Sequence, residues 1–373
     1  MALFTEFQPV SKQEWLQKVE KDLKGKPLAD LNWHLNDDIT LMPFYHADDA
    51  TPSVGTIATG ADNQWWIGEE FKVSDPKKTN IELLAALERG VNTPLFLINE
   101  LDAKNGLAQL FKNVNIAIIG VHFELRNSNL KPVELLEAYY QFAIQNNYDP
   151  TQLHGCLGLD PLIDPTQCSV SEAIEAIYFI EKNLPLFRVF NIQNTATPGQ
   201  SETVIEALTA HVSQGINYLE ILKGEGLEPA RIIARFQFSL EIGKSYFVEI
   251  AALRAFKVLW ANVLKTYGCE IYPIYLDAFL VDHSFGDDEY TNMIRATTQA
   301  MSAVIGGVNR LTIPPANTYL GGKNDLTERV ARNVQHILQL ESHLDRVQDP
   351  AAGSYYIEHL TNVLIEKVWS KLG

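Results

Sequence analysis

Gly155-Cys156-Leu157-Gly158-Leu159, then Ser169-Val170-Ser171-Glu172, then Phe187-Arg188-Val189-Phe190-Asn191-Ile192 reads as strand, helix, strand. Ser169 with Glu172 forms a capping-box pattern, and Ala173, Ile174, Ile177 and Ile180 follow on one helical face. An apolar run, an amphipathic helix and a second apolar run make the βαβ unit of a parallel sheet. The alternation continues on both sides. Further apolar runs stand at Trp65–Ile67, Leu95–Ile98, Ile116–Val121, Phe236–Leu240, Tyr272–Leu276 and Arg310–Ile313, which brings the number to eight. Helices are predicted to begin near Asn80, Asp102, Pro132, Ser169, Ser201, Tyr246, Glu289 and Asp325. Eight such units in roughly 280 residues match a (β/α)8 TIM barrel, so the expected class is α/β.

The first sixty residues read differently. Ser11-Lys12-Gln13-Glu14 is a capping box with Trp15, Val19 and Leu23 behind it, and Lys24-Gly25-Lys26-Pro27 ends the helix. Trp33, Met42-Pro43 and Phe44-Tyr45 follow in an irregular stretch, and Ala58 to Asn63 reads as a linker. The expected division is an N-terminal helical and extended arm over 1–60 and a barrel over 61–373. So much apolar surface in an arm predicts that it lies against its own barrel or a partner.

Composition narrows the function. With 373 residues, 46% hydrophobic, the chain buries a large core. Cys156, Cys168 and Cys269 are widely spaced and odd in number, which suits reduced thiols. A net charge of -16 argues against nucleic acid. No uncharged apolar stretch reaches membrane-spanning length, and no basic n-region opens the chain, so a cytoplasmic protein is expected.

The C-terminal fifty residues carry a family resemblance. Asp325-Leu326-Thr327-Glu328 reads as a capping-box start, Ala331-Arg332-Asn333 and Glu341-Ser342 follow, and Asp349-Pro350-Ala351-Ala352-Gly353-Ser354-Tyr355-Tyr356-Ile357-Glu358-His359-Leu360-Thr361 precedes Trp369. This order resembles the end of the substrate-binding barrel of methylmalonyl-CoA mutases, and Tyr246 to Ala255 resembles a second helix of that family. The arm resembles that of the small, non-catalytic subunit of two-chain mutases.

The resemblance implies adenosylcobalamin radical chemistry in active members, and four features that serve it. An Asp-x-His-x-x-Gly cobalt-ligand motif is absent from the sequence. The entry region Thr51 to Phe71 holds no Arg or Tyr. The fifth-strand histidine that polarises the thioester is replaced by a stretch where Gln193 and Asn194 are the nearest polar groups. Where an arginine would grip the CoA phosphates, Ile274-Tyr275-Leu276-Asp277 places a carboxylate, which repels phosphate. The resemblance thus implies a small-subunit-like barrel without catalytic residues, with Glu124, Asp160, Gln193, Asn194, Tyr275 and Asp277 as a vestigial cleft. It implies no cofactor bound by this chain alone, adenosylcobalamin in the catalytic partner, and association with a large mutase subunit as a heterodimer, or a homodimer. The competing readings are an active acyl-CoA isomerase barrel using a cobalamin domain on another chain or lost from this one, and a hydrolase or lyase using Glu124 and Asp160 at strand ends.

Plainer readings stand beside these. Asp277, Asp282, His283, Asp287 and Asp288 fit no metal-ligand spacing and read as a solvated loop. His122 and His154 read as buried, hydrogen-bonded histidines, and Trp65, Trp66, Phe123, Tyr139 and Tyr140 as core. A barrel without chemistry should fill its channel with side chains and hold no convergent Arg or Lys cluster.

Overall fold

The computed structural model describes residues 10–36, 39–51, 62–126, 128, 130–165, 167–193, 203–269, 274–281, 284–322 and 324–373. Eight parallel strands close a barrel: β3 (Trp66–Val73), β4 (Thr93–Ile98), β5 (Gly120–Leu125), β6 (His154–Leu159), β7 (Phe187–Gln193), β8 (Phe236–Ile242), β9 (Leu276–Leu280) and β10 (Arg310–Thr312). Each strand pairs with its successor, and β10 returns to β3. Helices α2 (Pro76–Glu88), α3 (Ala103–Leu110), α4 (Pro132–Gln145), α5 (Val170–Asn183), α6 (Val204–Gly224), α8 (Tyr246–Thr266), α9 (Glu289–Ile305) and α10 (Asp325–His336) make the outer ring, with a short α7 (Pro229–Ile233) before β8. The TIM barrel read from the sequence is therefore the observed fold.

The apolar core lies between the strands and this ring. Phe96, Phe111, Phe123, Tyr139 and Phe187 interlock by edge-on and tilted contacts at 5.5–5.8 Å, and all are buried. On the other side Phe236, Phe238, Phe256 and Trp260 pack the same way, and Gly215 of α6 lets Trp260 approach, since a Cβ there would lie 2.6 Å from the indole. Trp66 and Tyr140 depart from the expected core: both are only half-buried, and Trp66 faces the barrel interior.

Two strands are shifted from their sequence positions. Residues Ile116–Ile118 form a single turn capped by Asn115, and the strand runs on through His122 and Glu124. Those polar residues face the barrel interior, so apolar content alone misplaced the strand. Strand β9 starts at Leu276, whose N–H donates to Asn309 Oδ1 at 2.8 Å; residues 270–273 lie outside the described set. Helix starts move by a few residues: α2 is capped by Asp75 and α6 by Thr203. At α10 the cap is Asn324, one residue before the predicted box, because its side chain accepts from Thr327 N.

After α10 the chain makes a π turn at Ile337–Glu341 and ends in α11 (Tyr355–Leu372), which lies across α8 and α6. One guanidinium fastens it. Arg254 of α8 holds Asp349 through two bonds of 2.8 and 3.1 Å, Glu358 at 2.8 Å and Thr361 at 3.1 Å, all away from solvent. Arg332 of α10 makes a similar bidentate pair with Glu69 of β3 at 2.6 and 2.8 Å. The recurring C-terminal residues are thus structural clamps.

Within the arm, α1 (Lys12–Asp22) starts at the Ser11 capping box and ends where Gly25 takes a φ of +91. A hairpin of β1 (Trp33–Asn36) and β2 (Ile39–Leu41) follows, with Ile39 and Leu41 buried. Trp15 stacks on Phe44 at 4.3 Å, Lys12 pairs with Asp49, and Tyr45 meets Tyr356 and His359 of α11 at 5.6 and 5.1 Å. The described part of the arm therefore rests on the last helix of its own chain.

Candidate functional site

Strand carboxyl ends of the barrel surround a cleft of about 320 Å³ lined by Glu124, Arg126, Asp160, Asp164, Gln167 and Gln193 among others. Glu124 pairs with Arg126 at 2.6 Å. Asp160 accepts from the Tyr218 hydroxyl and from Ile163 N through one oxygen, while its other oxygen is buried without a partner. Burial pushes the Asp160 carboxyl up to about 6. Gly158, at φ +64, lets β6 come close to β5; a Cβ would lie 2.5 Å from the Phe123 carbonyl oxygen. Cys156 and Cys168 have thiols pushed up to about 12 by burial, which removes them as nucleophiles at neutral pH.

Below the cleft a polar network crosses the barrel. Arg310 of β10 donates to Asp277 Oδ1 at 2.8 Å and to the Thr93 carbonyl at 3.1 Å. Asp277 Oδ2 accepts from Ser239, whose hydroxyl also reaches Asn191 Oδ1 at 2.7 Å, and Asn191 accepts from Gln237 at 3.1 Å. The carbonyl of Arg235 accepts from both Val189 N and Phe190 N, a bulge that turns Arg188 and Asn191 to the same inward face. Arg188 then lies over the Tyr275 ring, its Cζ 3.4 Å from the ring centroid. Four buried polar atoms of this interior, Thr93 Oγ1, Gln237 Oε1, Arg310 Nε and Thr312 Oγ1, have no hydrogen-bond partner.

Of the six residues predicted for the cleft, Glu124, Asp160 and Gln193 come together at the carboxyl face. Tyr275 and Asp277 belong to the interior beneath it, and Asn194 lies outside the described residues. Two expectations need correction. Asp277 is not a bare repulsive charge, because Arg310 neutralises it. Nor is the interior free of basic groups: Arg188 and Arg310 both enter it, one over an aromatic ring and the other in an ion pair. Sequence reasoning missed them, although a charged residue inside an apolar strand run was the available signal.

The plainer readings are also resolved. Asp277 is buried, Asp288 caps α9, and residues 282–283 lie outside the described set. Among the described residues no group of three His, Cys, Asp or Glu is placed to hold a metal. His122 is buried with its imidazole held well below the usual range by burial and by Arg310 and Arg188, whereas His154 is exposed at the mouth against Trp66, contrary to expectation. No described helix is long and apolar enough to cross a membrane.

A closed parallel barrel with a carboxyl-face cleft and a charged, bonded interior defines a (β/α)8 barrel protein. Residues 100–373 match the family model described as methylmalonyl-CoA mutase. The methylmalonyl-CoA mutase small subunit of Porphyromonas gingivalis is 30% identical, covering 98% of this chain and 63% of that protein. The small subunit of Streptomyces virginiae is 26% identical over 99% of this chain and 64% of its own, and the mutase of Rhizobium meliloti 24% over 96% and 57%. The chain belongs to the methylmalonyl-CoA mutase family, and it spans about three fifths of the length of these relatives.

A histidine of this barrel could ligate cobalt only with a free ring nitrogen at the carboxyl face. His211 spends both nitrogens on the Ala207 and Ser239 carbonyls, His122 is buried in the interior, and His154 stands at the opposite mouth. Among the described residues none lines the cleft, so no imidazole there is placed to ligate the cobalt of adenosylcobalamin.

Proposed function

We propose that this chain is a small-subunit-like barrel of an adenosylcobalamin-dependent methylmalonyl-CoA mutase, the enzyme that interconverts methylmalonyl-CoA and succinyl-CoA. It is itself non-catalytic and stabilises a large subunit that carries the cofactor and the active site. The pair works in the cytoplasm as a heterodimer, with a homodimer as substitute where the large subunit is missing. What carries this reading is the Arg310–Asp277 pair, bonded onward to Ser239 and Asn191 through the barrel interior. An acyl chain threading the barrel would have to break a buried ion pair, and stranding one partner costs about 3–5 kcal/mol. The small-subunit names of several relatives support the same role.

The test is twofold. Co-expressed with a large mutase subunit, the chain should co-elute in a one-to-one complex. Alone, it should give no saturable heat with methylmalonyl-CoA. Micromolar binding by the isolated chain would instead favour the reading of an acyl-CoA isomerase barrel.

A further inference from the structure

At the N-terminal mouth, Arg188 differs from the other guanidinium groups that organise this fold. Arg254 holds Asp349 and Glu358, Arg310 holds Asp277, and Arg332 holds Glu69. Arg188 has no carboxylate within ion-pair distance among the described residues; its face rests on the Tyr275 ring at 3.4 Å. Asp277 is the carboxylate whose field reaches it, and both oxygens of Asp277 are already bonded, to Arg310 and to Ser239. A cation stacked face-on keeps its N–H donors pointing outward in the guanidinium plane.

The surroundings suit an incoming anion. Cys156 is the strand neighbour of Arg188 in β6, and His122 is the neighbour of Cys156 in β5. The His122 ring lies 6.5 Å from Tyr275, and His154 faces Trp66 at 6.2 Å. His154 is exposed, and Arg188, Tyr275 and Trp66 keep part of their surface accessible, so the position is reachable from the N-terminal side. Desolvation, with the nearby arginine charge, lowers the pKa of both imidazoles below the ordinary histidine value. Arg188 thus feels the Asp277 field but has no ion-pair partner among the described residues, and its accessible surface leaves it open to an anion from solution.

We propose that the N-terminal mouth is a binding site for one small oxyanion, held edge-on by Arg188 against Tyr275 with His154 and His122 beside it. The site is on the face opposite the cleft and does not depend on the mutase role proposed above.

Inorganic phosphate is the probe, titrated calorimetrically into the whole chain at fixed ionic strength, with acetate as a second arm. Saturable binding of one phosphate per chain is expected, weakened roughly tenfold or more in Arg188→Gln and less in Arg188→Lys. Tighter binding of phosphate than of acetate would assign the site to tetrahedral oxyanions, and the reverse to carboxylates. Should Arg188→Gln fail to fold by circular dichroism, wild-type imidazole resonances give the answer: His122 and His154 should move on titration while His211 stays fixed. No saturable binding, equal binding by folded Arg188→Gln, or unmoved His122 and His154 signals at saturation would overturn the proposal.

Discussion

The C-terminal clamp and the barrel interior are both built on buried arginines, yet they are satisfied to different degrees. Around Arg254, two carboxylates and a threonine hydroxyl meet the guanidinium, and Gly353 N adds a bond to Glu358 at 2.9 Å. In the interior, Arg310 leaves Nε unbonded and Arg188 has only a ring beneath it. The clamp involves the residues that mark the family, and its work is to dock α11. The interior holds the polar groups that set what the barrel can admit. Family membership and activity are thus written in different parts of one fold, which is why a strong match says little about chemistry.

The largest test of this contrast is Arg254→Ala. Removing the guanidinium strands Asp349 and Glu358 together, so a loss of about 3–5 kcal/mol is expected, with hydrogen exchange fastest in α11. Denaturant titration checks the size. Asp277→Asn should cost less, about 3 kcal/mol, because the amide keeps hydrogen bonds to Arg310 and Ser239 although it leaves the Arg310 charge without its counter-ion. If Asp277→Asn proves the costlier of the two, the interior and not the clamp is the main fastening of the fold.

Helix α8 carries a third, opposite case in Glu249, whose carboxyl is pushed up to about 7, first by burial and then by Glu241. Its folded pKa lies above the ordinary carboxylate value, so the native state holds the proton more tightly than the unfolded chain. This contribution to stability is present at low pH and is lost as pH rises from about 4.5 to about 7. Glu249→Gln should therefore be neutral near pH 5 and stabilising by about 1–2 kcal/mol at pH 8, as read by urea denaturation at both values. The smallest effect is expected in the arm, where Trp15→Ala removes the stack on Phe44 and should cost about 1 kcal/mol without altering barrel exchange. A global loss of cooperativity from this variant would show that arm and barrel are one unit.

Strand and helix order was legible because each βα unit declares itself locally through an apolar run and a cap. The errors fell where the barrel interior is polar. His122 and Glu124 interrupt β5, and an apolar run placed beside them was mistaken for the strand itself. Glu124, Asp160 and Gln193 could be placed at the carboxyl face from the sequence because they end strands, and strand ends form that face. Arg188, Arg310 and Ser239 were not, because which inward side chains meet depends on register and on the bulge at Val189 and Phe190. No spacing in the sequence records that.

Strand β10 has only three residues, and the barrel closes through it. The other neighbours join segments adjacent in sequence, whereas the Arg310 bond to Thr93 spans 217 residues of chain. Closure therefore bears the largest loop entropy and belongs to the end of folding, when the rest of the sheet is already curved. Until then β3 and β10 are open edges, exposed to pairing with other chains. An inward-pointing charge on a bare edge strand discourages such pairing. On that order of events Arg310 would guard the unfinished edge; in the closed barrel it bridges the seam from Asp277 to Thr93.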